Sequence, residues 1–242
     1  MQAAAVHAAT HGSGGPWCTT FLTVRSALAT VLAMDHPRTG PAYRIETDRL
    51  VVRCYQPSDA ALLKAAIDAS LDALRPWMPW AHNEPQPLAE KVSLLRQFRG
   101  RFDLGQDFVY GAFDRAETEL LGSSGLHTRL GPGAREIGYW VHAAHAGNGL
   151  ATEIAGALTR TGFEIEQLHR IEIHCAPDNA RSMAVARKLG YVHEATLRER
   201  VERPDGSWRD TMIWTMFASD YPASPAAATR LRAFDVTGLP LL

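Results

Sequence analysis

The chain has 242 residues, of which 46% are hydrophobic and 21% charged, with 25 Lys+Arg against 26 Asp+Glu. This is the balance of an ordinary folded chain, and it provides no global field that would draw nucleic acid or a membrane surface, so neither is expected as a partner. Cys18, Cys54 and Cys175 are odd in number and widely spaced, and none belongs to a metal-ligand pattern. A reduced, cytoplasmic setting and no metal are the expectation.

Residues 1–42 are rich in Ala, Thr, Gly, His and Pro and lack sustained periodicity, which predicts a poorly ordered extension. Thr20–Ala33 is its most apolar run, but it is too short to span a membrane and contains Arg25. No basic residue precedes that run, so it makes a poor export signal. The regular pattern begins after Met34, which is an alternative start for translation.

Leu50–Tyr55 reads as a strand. Pro57-Ser58-Asp59 then opens a helix with apolar residues spaced as far as Leu74. Pro76–Trp80 cannot be regular helix, because prolines flank its aromatics. Leu88–Phe102 resumes helical spacing, and Phe108–Phe113 with Leu120–His127 predicts a hairpin. Glu136–Val141 alternates as a strand and stops at the loop running from His142 to Gly149. A helix starts at Leu150 with apolar residues at Ile154, Ala157, Leu158 and Ile165. Arg170–Cys175 is a further strand, Asn179–Leu189 a helix stopped by Gly190, and Tyr191–Val201 with Trp208–Phe217 a closing pair. Residues 222–242, with prolines and many alanines, read as an appended tail. The order predicts a mixed α/β sheet in one domain over residues 43–221.

The loop Gly147-Asn148-Gly149-Leu150-Ala151-Thr152 opens a helix, where unpaired N–H groups and the positive end of the dipole favour an anion. A dinucleotide fingerprint would need Gly or Ala at Thr152 and an acid ending the next strand, where this chain has His174-Cys175. No Lys-Ser/Thr follows, so the loop is not a P-loop. Spacing alone leaves a phosphate cradle and a simple turn both open. His142 and His145 have no third partner nearby for a metal.

Glu136–Gly162 with Asn179-Ala-Arg-Ser182 and Ala186-Arg-Lys-Leu-Gly-Tyr191 resembles the GNAT superfamily of N-acetyltransferases, and within it the RimJ/RimL branch. The resemblance extends through Arg49-Leu-Val-Val-Arg53, Trp77-Met-Pro-Trp80, Leu121–His127 and Asp210-Thr-Met-Ile-Trp214. It implies a mixed, mostly antiparallel, splayed central sheet flanked by helices. It also implies acetyl-CoA as co-substrate, with no metal. Ala146, Gly149 and Ala151 fall on the slots of the family's pyrophosphate motif, with Ala146 replacing the usual Gln or Arg. The backbone N–H groups of Gly147, Asn148, Gly149, Leu150, Ala151 and Thr152 would hold the pyrophosphate, with Ala146 counted among the cofactor-binding positions by its motif slot. Trp140 and Val141 would pair with the pantetheine arm, and Asn179 would bind its amide or cap a helix.

The resemblance further implies Ser182 as the acid that protonates the leaving thiolate, because the slot of the superfamily's usual tyrosine is Ala186. Glu136 is the implied base, with Glu199, Glu202 or a water relay as competitors. Trp77 and Trp80 would shape the acceptor site. The implied acceptor is a protein or peptide α-amine. A small amine such as an amino acid, antibiotic or polyamine is the alternative, as is a non-catalytic acyl-CoA-binding module. A monomer or a homodimer fits.

Overall fold

A computed structural model describes residues 40–242. Most of the expected N-terminal extension, including Thr20–Ala33 and Met34, lies outside the described residues. In chain order the strands are β1 (Arg44–Glu46), β2 (Leu50–Cys54), β3 (Phe108–Asp114), β4 (Leu120–His127), β5 (Ala134–Val141), β6 (Arg170–Cys175), β7 (Val192–Glu202), β8 (Trp208–Phe217) and β9 (Arg232–Phe234). The helices are α1 (Ala60–Asp68), α2 (Leu71–Leu74), α3 (Leu88–Asp103), α4 (Leu150–Glu164) and α5 (Ala180–Leu189).

The strands form one sheet in the order β7-β8-β6-β5-β4-β3-β2-β1-β9. Every neighbouring pair is antiparallel except β5 and β6, which run parallel because α4 carries the chain across between them. Alternation along β5 assigns its two faces. Ile137, Tyr139 and Val141 pack with the α4 and α5 residues Ile154, Leu158 and Val185, whereas Trp140 packs with α1 and α3 through Leu63, Ile67 and Leu95. The amphipathic helices therefore cover the sheet on both sides.

The parallel register runs from Ala134↔Arg170 to Ile137↔Ile173 and ends there. Past that point β5 stays paired with β4 as far as Gly122↔Val141, and β6 stays paired with β8 as far as Cys175↔Met212. The sheet splits between Gly138–Val141 and His174–Cys175, leaving a notch that opens toward the start of α4.

The segment expected to be an appended tail belongs to the fold. Its strand β9 pairs with β1 through Arg44↔Phe234, Ile45↔Ala233 and Glu46↔Arg232. Ala226 and Ala233 are fully buried, and Arg160 of α4 donates to the Thr229 carbonyl at 2.8 Å. Small residues pack closely here: a Cβ on Gly156 of α4 would lie 2.7 Å from Thr229 Oγ1. The expected start at residue 43 also moves, since Ala42 is 2% exposed and its carbonyl accepts from the Tyr110 hydroxyl at 3.0 Å. The helix expected to run from Pro57 to Leu74 breaks into α1 and α2 at Ala69–Ser70.

At the other edge, β7 is eleven residues long and exposed over most of its length, and its register with β8 shifts between His193 and Ala195 and again between Leu197 and Val201. Glu199 in the second shift has φ 52°, and its N–H is held by Asp210 at 2.9 Å.

Beside the notch, Gly122 of β4 faces the backbone of β5, and a Cβ there would lie 2.5 Å from the Trp140 carbonyl oxygen. Backbone cannot move aside as a flexible side chain can. Gly122→Ala is expected to destabilise the fold by about 2 kcal/mol, measured by urea unfolding, whereas Gly100→Ala, on an exposed helix face, is neutral or stabilising.

Candidate active site

The loop after β5 makes one short 3-10 turn, in which the His145 N–H donates to the His142 carbonyl at 2.9 Å and the Ala146 N–H to the Ala143 carbonyl at 3.3 Å. Gly147 and Gly149 follow with φ 86° and 79°, a conformation that suits glycine, and Gly149 leads into α4. The first N–H of the helix to find a carbonyl is that of Glu153, on Gly149 O at 3.1 Å. Among the described residues, nothing accepts from the N–H groups of Gly147, Asn148, Gly149, Leu150, Ala151 and Thr152. Six free donors at the positive end of a helix form an anion cradle. Ala146 is not part of it, because its N–H is already used.

The cradle is pinned from the far side. Arg49 Nη1 donates to the Asn148 carbonyl at 2.9 Å, and Arg49 Nε donates to Glu153 at 2.6 Å. Glu153 also accepts from Thr47 Oγ1 at 2.5 Å. A carboxylate in the first turn suits the dipole, so the β1–β2 turn and α4 hold the loop between them. An open recess of about 390 Å³ lies beside it, lined by Gly149, Thr152, Lys188 and Thr229. A larger recess of about 450 Å³ lies at the far sheet edge among Arg44, Arg53, Arg99 and Phe234. Its arginines are all paired with Glu46, Glu117, Asp59 or Asp103, so these guanidiniums are already engaged.

Ser182 lies in the first turn of α5, with its N–H capped by Asn179 Oδ1 at 3.0 Å. Asn179 is thus a helix cap, the simpler of its two expected roles. The Ser182 hydroxyl is 2.9 Å from the Tyr139 hydroxyl across the notch. Burial pushes the Cys175 thiol up, against opposing contributions from the Ser182 hydroxyl and the Trp214 indole. It is therefore a neutral thiol at neutral pH and a poor nucleophile.

Glu136 sits on the other face of β5 and is already engaged. Arg129 forks onto it at 2.6 and 2.7 Å, and His174 Nδ1 lies 3.4 Å away while its Nε2 meets Glu172 at 2.7 Å. Burial would raise the Glu136 carboxyl, but the Arg129 fork and the facing His174 and His127 outweigh it and hold it below the usual carboxylate range. Glu199 and Glu202 lie on exposed β7, separated from β5 by β8 and β6.

Trp80 is 37% exposed, and its ring lies 6.3 Å from that of Trp140, which brings the loop after α2 against the notch strand. Trp77 is half-buried, in the turn where its N–H meets the Leu74 carbonyl at 2.9 Å. The Ser70 hydroxyl accepts from the Ala143 N–H at 2.9 Å, tying α2 to the loop after β5. His142 and His145 contact each other and His145 meets Glu119 at 2.8 Å, but no group of three potential metal ligands occurs among the described residues. The arrangement offers an anion cradle, a split sheet edge for an extended arm and a hydroxyl pair at their meeting point, as an acyl-CoA-handling α/β protein requires.

Residues 49–192 match the family described as the acetyltransferase (GNAT) domain. The chain belongs to that family of N-acetyltransferases. It is 28% identical over 186 residues to the [ribosomal protein uS5]-alanine N-acetyltransferase of Escherichia coli (strain K12), covering 75% of this chain and 94% of that one. Mycobacterium smegmatis RimJ, solved in complex with CoA-disulfide, is 26% identical with a TM-score of 0.65, covering 78% of this chain and 90% of that one. The ribosomal-protein-S5-alanine acetyltransferase of Vibrio fischeri shares the fold, with a TM-score of 0.64 at 22% identity over 74% of this chain and 98% of that one. No helix among the described residues is long and apolar enough to cross a membrane.

One contact that the sequence did not announce braces the loop after α2. Lys91 of α3 is fully buried and ion-paired with Glu84, which is 8% exposed, in the loop that carries Trp77 and Trp80. Lys91 also donates to Gln86 Oε1 at 3.2 Å. Lys91→Met alone leaves a buried carboxylate without its partner and is expected to destabilise by about 3–5 kcal/mol in urea unfolding. Adding Glu84→Leu recovers most of that loss.

Proposed function

We propose that this chain transfers the acetyl group of acetyl-CoA to the α-amino group of a protein or peptide by direct attack, in the cytoplasm. The observation that carries the cofactor half of the reading is the run of six N–H groups from Gly147 to Thr152 that have no partner among the described residues, at the mouth of a split in the sheet. In this reading they hold the pyrophosphate, the one-sided backbone of Gly138–Val141 takes the pantetheine arm as an added half-strand, and Lys188 faces the nucleotide end. The protein-acceptor half is supported by the activity named for the Escherichia coli relative, a [ribosomal protein uS5]-alanine N-acetyltransferase.

Acetyl-CoA supplies an acyl group activated as a thioester. In the proposed step the amine nitrogen forms a bond to the carbonyl carbon, the carbon–sulfur bond breaks, and its electron pair leaves with sulfur. Ser182 gives its hydroxyl proton to that sulfur. The proton shed by the amine returns through water to restore Ser182. Backbone N–H groups at the notch hold the developing oxyanion. Cys175 stays a spectator, because a buried neutral thiol does not favour an acyl-cysteine route.

Glu136 enters this scheme as a fixed charge and not as the base. An α-amine with a pKa of about 8 is deprotonated often enough at neutral pH for water to accept its proton, whereas a lysine amine at about 10.4 is not. Glu136→Gln is therefore expected to lower kcat less than tenfold and to leave the rise of rate with pH where the acceptor amine titrates. A loss of about a hundredfold or more, together with a shifted pH limb, would restore Glu136 as the base.

The acceptor is tested by thiol release from acetyl-CoA with peptides beginning in Ala or Ser, their N-terminally blocked forms, and a panel of amino acids, polyamines and aminoglycosides. Turnover is expected on the free peptides and not on the blocked ones. Turnover confined to small amines would overturn the acceptor assignment. Coenzyme A binding with no turnover on any acceptor would make the chain a binding module.

A further inference from the structure

Side chains from three elements meet where β5 and β6 part. Tyr139 and Cys175 stand two residues beyond the last parallel pair, Ile137 and Ile173, on the sheet face that those isoleucines share. Ser182 arrives from α5, held in register by the Asn179 cap. The Tyr139 hydroxyl lies 2.9 Å from Ser182 Oγ and 3.4 Å from the Ser182 carbonyl oxygen. Burial pushes the Tyr139 phenol above its usual value, with the Ser182 hydrogen bond opposing, so it keeps its proton across the neutral range.

A protonated phenol is a donor, and the shorter of its two contacts is to the serine oxygen. When the phenol donates to Ser182 Oγ, the serine hydrogen must point away from Tyr139. The Cys175 thiol adjoins the Ser182 hydroxyl, and Ala186, one turn further along α5, is fully buried and carries no hydroxyl.

We propose that Tyr139 is a positioning residue for acyl transfer: its phenol donates to Ser182 Oγ and so turns the Ser182 hydrogen into the notch, toward the departing sulfur. This rests on the transfer step proposed above and deepens it. Tyr139 keeps its proton throughout, so the proton balance of that step is unchanged. The role is distinct from that of Ser182: one hydroxyl gives the proton and the other aims it.

The test compares Tyr139→Phe, Ser182→Ala and the double variant of the full chain, using acetyl-CoA and an acceptor that the wild type turns over. Tyr139→Phe is expected to lower kcat about tenfold, the scale of one hydrogen bond, with KM for acetyl-CoA within about twofold of wild type. Ser182→Ala falls further, and the double variant is no slower than Ser182→Ala, because an aimed proton that no longer exists cannot be lost twice. Coenzyme A affinity by calorimetry and the thermal midpoint of Tyr139→Phe stay near wild type, which separates aiming from a packing role. A kcat within about twofold of wild type, a loss confined to KM, or additive losses in the double variant would each overturn the proposal. If the wild type transfers acetyl to no acceptor, the acyltransferase reading fails and takes this one with it. If the wild type transfers and Tyr139→Phe keeps pace, only this one fails.

Discussion

The site depends on the end of the hydrogen bonding between β5 and β6. Four parallel pairs hold the strands together, and beyond Ile137 and Ile173 each strand keeps only its outer antiparallel neighbour. A sheet that stayed zipped would bury Tyr139 and Cys175 in an unbroken surface and leave no backbone free for an extended ligand. The outer pairings make the separation tolerable: Gly138–Val141 remain tied to β4, and His174–Cys175 to β8, so neither strand frays. Covering helices fill the face behind the split, and α5 brings Ser182 into it by its first turn.

The loop after β5 and the wall that carries Trp80 are held by different physics. The cradle is kept open by local geometry, two glycines at positive φ and a helix start, and is braced by the Arg49–Glu153–Thr47 network between elements far apart in sequence. The wall carrying Trp80 is braced by a buried ion pair, Lys91 with Glu84, whose value lies in leaving neither charge alone. Glu136 belongs to neither. It sits in a strip of paired polar groups with Arg129, His174, Glu172 and Arg170 that runs across β5 and β6. That strip explains how carboxylates persist on a covered sheet face, and why this one is spoken for.

Much of this was legible from residue order. Long periodic segments such as Leu150–Glu164 declared themselves, because a helix of that length repeats its apolar face several times. The strands β1 and β9, three residues each, are too short for alternation to register, and the alanines of 225–228 look like filler until Ala226 is found buried against α4. Local chemistry was legible too: Gly147 and Gly149 mark a turn at a helix start, and Asn179 marks a cap. What could not be read was juxtaposition. Tyr139 and Ser182 are 43 positions apart and meet only because a parallel crossover returns the chain to the neighbouring strand. The Arg129 fork on Glu136 demoted a carboxylate that strand alternation alone would leave free. The pairing of Lys91 with Glu84 likewise depends on how a loop folds back on its helix.

The sheet closes at one side with a strand of three residues but ends at the other with β7, eleven residues long and largely bare. A straight edge of that length is a template on which a second chain can add, the first step of aggregation. Here the two register shifts break its row of amide and carbonyl groups into short pieces, and Glu194, Arg198, Glu199, Arg200 and Glu202 place alternating charge along it. An incoming strand would find no long stretch in register and would bring its own charges against these. The irregular edge thus works as a guard on colloidal stability, opposing strand-by-strand addition at the exposed margin of a large sheet.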